Sequence, residues 1–301
     1  MRINPVLRNE NRLDVRTPKF TAMLFAYITI ISAGVLLYYN FFSKELYAAG
    51  INVSSTITLY ILMAVVQAVL LMVLVPSLTA TSICSEREKQ TLDILLSTKL
   101  TPLQIVLGKL FAASNKVIII LICTLPIYSI STLIGGIKIL NIVQLIVFFI
   151  VNTIFVGSIG VLISTYSKNS RAATTLNYAV IIGIYIGIIA VVYFLFMLRL
   201  SRGLNYNDYE VSKIIYLSPV VGFASLLSNQ VGVTSFRFMF TELDISNKAE
   251  YISMAIQIVI SIICIFLAAR KLNPLNEKKI KVSSKNKKVK KIRKSKKAIE
   301  S

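Results

Sequence analysis

The chain has 301 residues, 55% hydrophobic and 15% charged, with a net charge of +20 and a mean hydropathy of +0.73. A soluble domain carries about 25% charged and 45–50% apolar residues, so this composition excludes a water-soluble globular protein. The absence of histidine removes the commonest general base and metal ligand, and Cys84, Cys123 and Cys264 have neither disulfide nor metal-ligand spacing.

In chain order, residues 2–19 form a polar, basic lead in which Ile3, Val6, Leu7, Leu13 and Val15 allow an amphipathic helix lying on the membrane surface. The first apolar run starts near Phe20 and exceeds a signal-peptide core, so no cleavable leader is expected. Spanning helices are predicted at about 20–43, 57–83, 108–134, 141–166, 173–198 and 251–270, each long enough for a bilayer core, which requires roughly 17–25 residues. Continuous apolar runs, rather than alternating ones, favour helices over outer-membrane strands. The expected fold class is therefore an all-α membrane protein. It has six transmembrane helices, an N-terminal surface helix (1–19), a transmembrane domain (20–270) and a basic tail (271–301).

Lys and Arg set the orientation. With the N-terminus inside, the inner segments (the lead, 84–109, 167–172 and 270–301) carry 5, 4, 2 and 14 basic residues. The outer segments 44–56, 135–140 and 199–250 carry 1, 1 and 5. Both termini are thus expected in the cytoplasm, with Lys116 snorkelling from the third span. The outer segment 199–250 offsets its bases with Asp208, Glu210, Glu242, Asp244 and Glu250. Its apolar centre, Ile214–Leu227, contains Pro219 and Gly222 and reads as an outer-face or re-entrant helical element. A seventh span there would place the basic tail outside. The tail is low-complexity and Lys-rich, with no interleaved aromatic, so anionic lipid is its expected partner and nucleic acid is not.

No acidic residue falls inside a predicted span, which argues against a proton-coupled pump. Gly108–Lys109 is followed by Leu110 and lacks the upstream glycine of a phosphate-binding loop. No ATP site is expected in this chain. The segment between the second and third spans, Ser82–Leu110, is the most informative. Ser85 and Glu88 have capping-box spacing, Glu86 and Glu88 favour a helix N-terminus, and Thr101–Pro102 would start the next helix. A capped surface helix with a solvated charged face would account for these features without any partner.

This segment resembles the signature of type-2 ATP-binding-cassette (ABC) transporter permeases. The matching residues are Ser82, Ile83, Glu86, Arg87, Glu88, Thr91, Leu92, Leu95, Leu96, Thr98, Leu100, Ile105, Gly108 and Lys109, with Pro76 upstream. The opening Asn4-Pro5-Val6-Leu7, with Glu10 and several arginines, is similar to that family's start, while Lys99 stands where a proline is common. The resemblance implies a non-catalytic, membrane-spanning permease subunit of an ATP-driven exporter in the cell membrane. It would pair with a second permease subunit and couple to a cytoplasmic P-loop ATPase that holds ATP and magnesium.

The same resemblance implies a coupling helix on which Glu86, Arg87, Glu88, Thr91 and Asp93 contact the ATPase. Arg8, Arg12 and Arg16 on the surface helix flank that contact or bind lipid headgroups. Gly183 and Gly187 have the spacing of a close helix contact, between subunits or within the chain. Gln67, Asn152 and Gln257 are uncharged polar residues deep in spans, placed to line a path or to bond neighbouring helices. A membrane scaffold or sensor without a path is the alternative. Lys-, Ile- and Asn-rich usage points to an AT-rich bacterial genome.

Overall fold

Lipid offers backbone amides no partner, so each long apolar block must close its hydrogen bonds within itself. The computed structural model describes residues 17–41, 53–97, 100–134, 137–201, 213–232 and 248–273. Among these, all regular structure is helical. Helices α1 (Pro18–Phe41), α2 (Val53–Thr79), α5 (Pro102–Ile134), α6 (Ile139–Tyr166) and α10 (Ala249–Leu272) are each long and apolar enough to cross a membrane. The sixth such helix is compound: α7 (Ser170–Ile182) passes through a π-helical turn (Gly183–Gly187) into α8 (Ile188–Ser201). The chain is an all-α, multi-pass membrane protein. The lead through Arg16 and the tail from 274 lie outside the described residues, and with them the surface helix and lipid-binding tail expected from sequence.

Two short helices join α2 to α5: α3 (Cys84–Glu88) and α4 (Leu92–Ser97). Helix α2 ends at Thr79, earlier than expected, and the chain turns through 80–83 into α3. Helix α5 starts at Pro102, as the Thr101–Pro102 pair implies. A reciprocal capping box fixes that start, with Gln104 N donating to Thr101 Oγ1 (3.3 Å) and Thr101 N to Gln104 Oε1 (3.0 Å).

The interrupted apolar stretch after α8 forms a 3-10 turn (Lys213–Leu217) and helix α9 (Pro219–Val231). Proline opens α9, and Gly232, at φ 67°, closes it in the left-handed region. At about 20 Å it is too short to cross a bilayer. Its face with Val221, Phe223, Leu226 and Leu227 is buried, against α10 and α6.

Helix α6 is the centre. In its most apolar stretch 67% of residues are buried, against 22% in α1 and 17% in α7–α8, which therefore lie at the periphery. The outward side chains there, Phe25, Leu36, Ile186 and Phe194, are large and apolar, as a lipid-facing surface requires. Phe148 and Phe149 of α6 meet Phe223 of α9 at ring-centroid distances of 6.1 and 5.8 Å.

Small residues decide how close the helices come. A Cβ on Gly160 would lie 2.8 Å from Thr79 Cβ, so α2 crosses α6 only because Gly160 has none. A Cβ on Gly222 would come within 2.6 Å of Ser253 Cβ, where α9 meets α10. Among the described residues an added Cβ at Gly183 or Gly187 would meet nothing within 4 Å, so neither glycine packs closely against them. Gly160→Ala is expected to lower stability by about 1–3 kcal/mol through overpacking. Gly183→Ala should hold or raise it, since alanine is the better helix former by about 1 kcal/mol. Thermal unfolding of both variants in the same detergent checks the contrast.

Candidate functional site

The charged segment after α2 folds into a reverse turn pinned at three points. The expected Ser85 cap does not form: α3 starts at Cys84, two residues before the Glu86 start that cap implies, and its flanking Ile83 has helical φ/ψ, which leaves Ser85 inside the helix. The cap comes from α6 instead, where Ser164 Oγ accepts both Ile83 N (3.0 Å) and Cys84 N (2.9 Å). Helix α3 ends at Glu88, and two residues on Gln90 has a φ of 58°, left-handed and uncommon outside glycine. Thr91 N then closes onto Glu86 O at 2.9 Å.

Successive residues on a helix point about 100° apart, so Glu86, Arg87 and Glu88 reach three different elements. Glu86 Oε1 pairs with Lys109 Nζ of α5 at 2.9 Å, and its other oxygen accepts the Thr91 hydroxyl. Arg87 donates to the last carbonyls of the α6 end, Ser167 O at 2.6 Å and Thr165 O at 3.1 Å. A guanidinium suits the negative end of a helix. Glu88 accepts Ser170 N (2.7 Å) and Ser170 Oγ (2.6 Å), capping α7 in place of Asn169, whose own side chain makes no cap bond. One turn of helix thereby ties together the start of α5, the end of α6 and the start of α7.

The electrostatics fit these contacts. Burial pushes the Glu86 carboxyl up, but bonds from Thr91 and Lys109 and the Lys109 charge outweigh it and hold it below its ordinary value. The Ser170 hydroxyl and amide lower the exposed Glu88 as well. Outward from the turn stand Lys89, Gln90 and, on α4, Ile94.

Of the sequence-derived contact residues, Glu86, Arg87, Glu88 and Thr91 are thus gathered together but turned toward their own chain. The Asp93 side chain and Arg8, Arg12 and Arg16 lie outside what the structure describes. Sequence reasoning assigned no role to Ser164, Ser167 and Ser170. Their three-residue spacing at the end of an apolar run was the available signal.

The interior polar residues bond their neighbours. Asn152 Oδ1 accepts the Tyr185 hydroxyl at 2.7 Å, Gln257 Nε2 donates to Ser253 Oγ at 3.2 Å, and Gln67 Nε2 donates to Thr124 Oγ1 at 3.4 Å. At the opposite end of the bundle, Glu250 is not a loop charge as its sequence position suggested. It sits in the first turn of α10, only 3% exposed. Gln144 Nε2 (3.0 Å) and Asn229 Nδ2 (3.5 Å) donate to it. Gln230 extends the network to the Asn141 carbonyl (2.9 Å) and to the Tyr60 hydroxyl (2.7 Å).

Arg87→Ala should cost about 1.5–3 kcal/mol, the usual worth of bonds to a charged group. Glu86→Lys and Lys109→Glu should each lower the thermal midpoint more than the double swap does. A carboxyl held below its ordinary value stabilises the fold above that value and loses the contribution as pH falls through its folded value. The midpoint gap between the wild type and Glu86→Gln should therefore be full at neutral pH and close on acidification below the ordinary carboxylate range. A gap independent of pH would deny Glu86 this role.

No family model matches the chain, and no curated protein matches it.

Proposed function

We propose that the chain is the membrane-spanning permease subunit of an ATP-driven transporter acting in export. It would work in a pair with a second permease subunit, the same or different, and with cytoplasmic P-loop ATPase subunits that hold the ATP and magnesium. The chain itself catalyses nothing. One observation carries this: the turn between the second and third spans is fastened to three span ends while its tip, Lys89–Gln90, points away from the bundle. The resemblance of this segment to type-2 ABC permeases supports the same assignment, as does the excess of basic residues on its side of the chain.

The geometry changes the division of labour within the motif. Glu86, Arg87 and Glu88 transmit; Lys89, Gln90 and Ile94 touch. A push on the tip reaches α5 through Glu86–Lys109, α6 through Arg87 and α7 through Glu88, so three spans move as one body. The open glycines Gly183 and Gly187 favour the fifth span as the contact with the second permease subunit. Both termini, and the α3 end of the bundle, would face the cytoplasm of a bacterial cell.

The test is co-purification from native membranes. Wild-type chain is expected to bring down a P-loop ATPase. Lys89→Glu combined with Ile94→Glu should lose it while keeping membrane level and thermal midpoint. Glu86→Lys should lose both ATPase and thermal stability. If no ATPase accompanies the wild type under conditions that preserve other membrane complexes, the permease assignment fails. The scaffold alternative then stands, with deletion of residues 274–301 as its own check.

A further inference from the structure

Between α1, α2 and α5 runs a buried seam that is polar in an otherwise apolar setting. Tyr27, Tyr60, Gln67, Thr124 and Tyr128 meet there, all buried. The Tyr27 hydroxyl reaches the Gln67 carbonyl (3.5 Å), Gln67 Nε2 reaches Thr124 Oγ1 (3.4 Å), and the Tyr60 and Tyr128 rings meet edge to face at 6.0 Å. Thr124 and Tyr128 are one helical turn apart and share a face of α5. The Tyr60 hydroxyl is already committed to Gln230.

Two atoms in this seam have no partner among the described residues: the Gln67 Oε1 acceptor and the Tyr128 hydroxyl. Ser131 Oγ, one turn further along α5, is also unpartnered. A serine can turn back to its own helix carbonyl, whereas Gln67 Oε1 is an acceptor that no carbonyl can satisfy and the Tyr128 hydroxyl stands at the end of a rigid ring. Gln67 lies midway along α2, hence near the bilayer midplane. Native interiors rarely leave such groups dry, and apolar substitutes would have packed as well.

We propose that water enters this seam at mid-membrane and is held between Tyr128 and Gln67. A water accepts from the Tyr128 hydroxyl and donates to Gln67 Oε1, and Thr124 Oγ1 keeps a lone pair for its second hydrogen. That meets the two to four polar partners a buried water needs. The seam is then a hydrated polar site inside one chain, separate from the Gly183–Gly187 face, where a hydrogen-bonding solute finds partners halfway across the membrane. This follows from α1, α2 and α5 alone and does not depend on an ATPase partner.

Hydroxyl-radical footprinting of the full-length chain in lipid nanodiscs tests it, because a bound water is itself the local radical source. Tyr128 is expected to be labelled several-fold faster than two buried controls, one of them more exposed than Tyr128 itself. One is Tyr185, whose hydroxyl is satisfied by Asn152; the other is Phe155, in an apolar setting. Labelling of Tyr128 no faster than these would overturn the proposal. The sign of a stability change is the second readout. Deleting a dry, unpartnered hydroxyl relieves a desolvation penalty, so a rise in thermal midpoint for Tyr128→Phe would also overturn it. A fall or no change is the expected result.

Discussion

Every backbone amide and carbonyl within the hydrocarbon must find a partner in the protein, and most of this architecture is an answer to that demand. Continuous helix is the simplest answer and accounts for the six long elements. The informative places are those where helix is interrupted, because there a neighbour must supply what the ladder no longer does. Pro76 removes one amide from α2, and beside it α7 adds donors to nearby α2 carbonyls, Asn177 Nδ2 to Pro76 O (3.3 Å) and the Tyr178 hydroxyl to Val73 O (2.8 Å). The π turn in the fifth span widens the ladder, and Ser218 Oγ donates to the Tyr185 carbonyl at 3.1 Å. The break between α2 and α3 is capped by Ser164 of α6.

These repairs are also the joints of the molecule. A side chain that completes another helix's backbone makes the two move together, since parting them leaves buried polar groups unpaired. Helix α6 takes part in several ties of this and related kinds. It caps α3, has its own end bound by Arg87, holds Tyr185 through Asn152, and meets Glu250 through Gln144. Its small residues Gly157 and Gly160 let α5 and α2 approach where longer side chains would hold them off. The most buried helix is thus also the most connected, whereas α1 and α8 carry outward apolar side chains and few such ties.

The number of spans, the short helical element before the last span and the restart at Thr101–Pro102 were legible because each depends on local composition: apolar length, a proline, a capping pair. The charged turn was legible as a place of importance from Glu86, Arg87 and Glu88, but its internal use was not. Ser85–Glu88 has the spacing of a capping box and does not form one, while Thr101–Gln104 does. The difference lies in Ser164, some eighty residues away, which caps the Ile83 and Cys84 amides and so starts the helix before Ser85. Glu250 was misread for a similar reason. A carboxylate next to a loop reads as solvated until Gln144 and Asn229 are seen to enclose it.

Sequence alone determined that this protein lives in a membrane as a helical bundle, because bilayer thickness and the lack of solvent partners act on contiguous residues. It also marked the charged segment that the proposed function depends on. Tertiary structure decided which charged groups serve the fold and which face outward, and which of the interior polar residues remain unpaired. Those outcomes are set by contacts between residues tens to hundreds of positions apart. Helical periodicity fixes the face a residue shares with its neighbours in sequence but not what that face will meet.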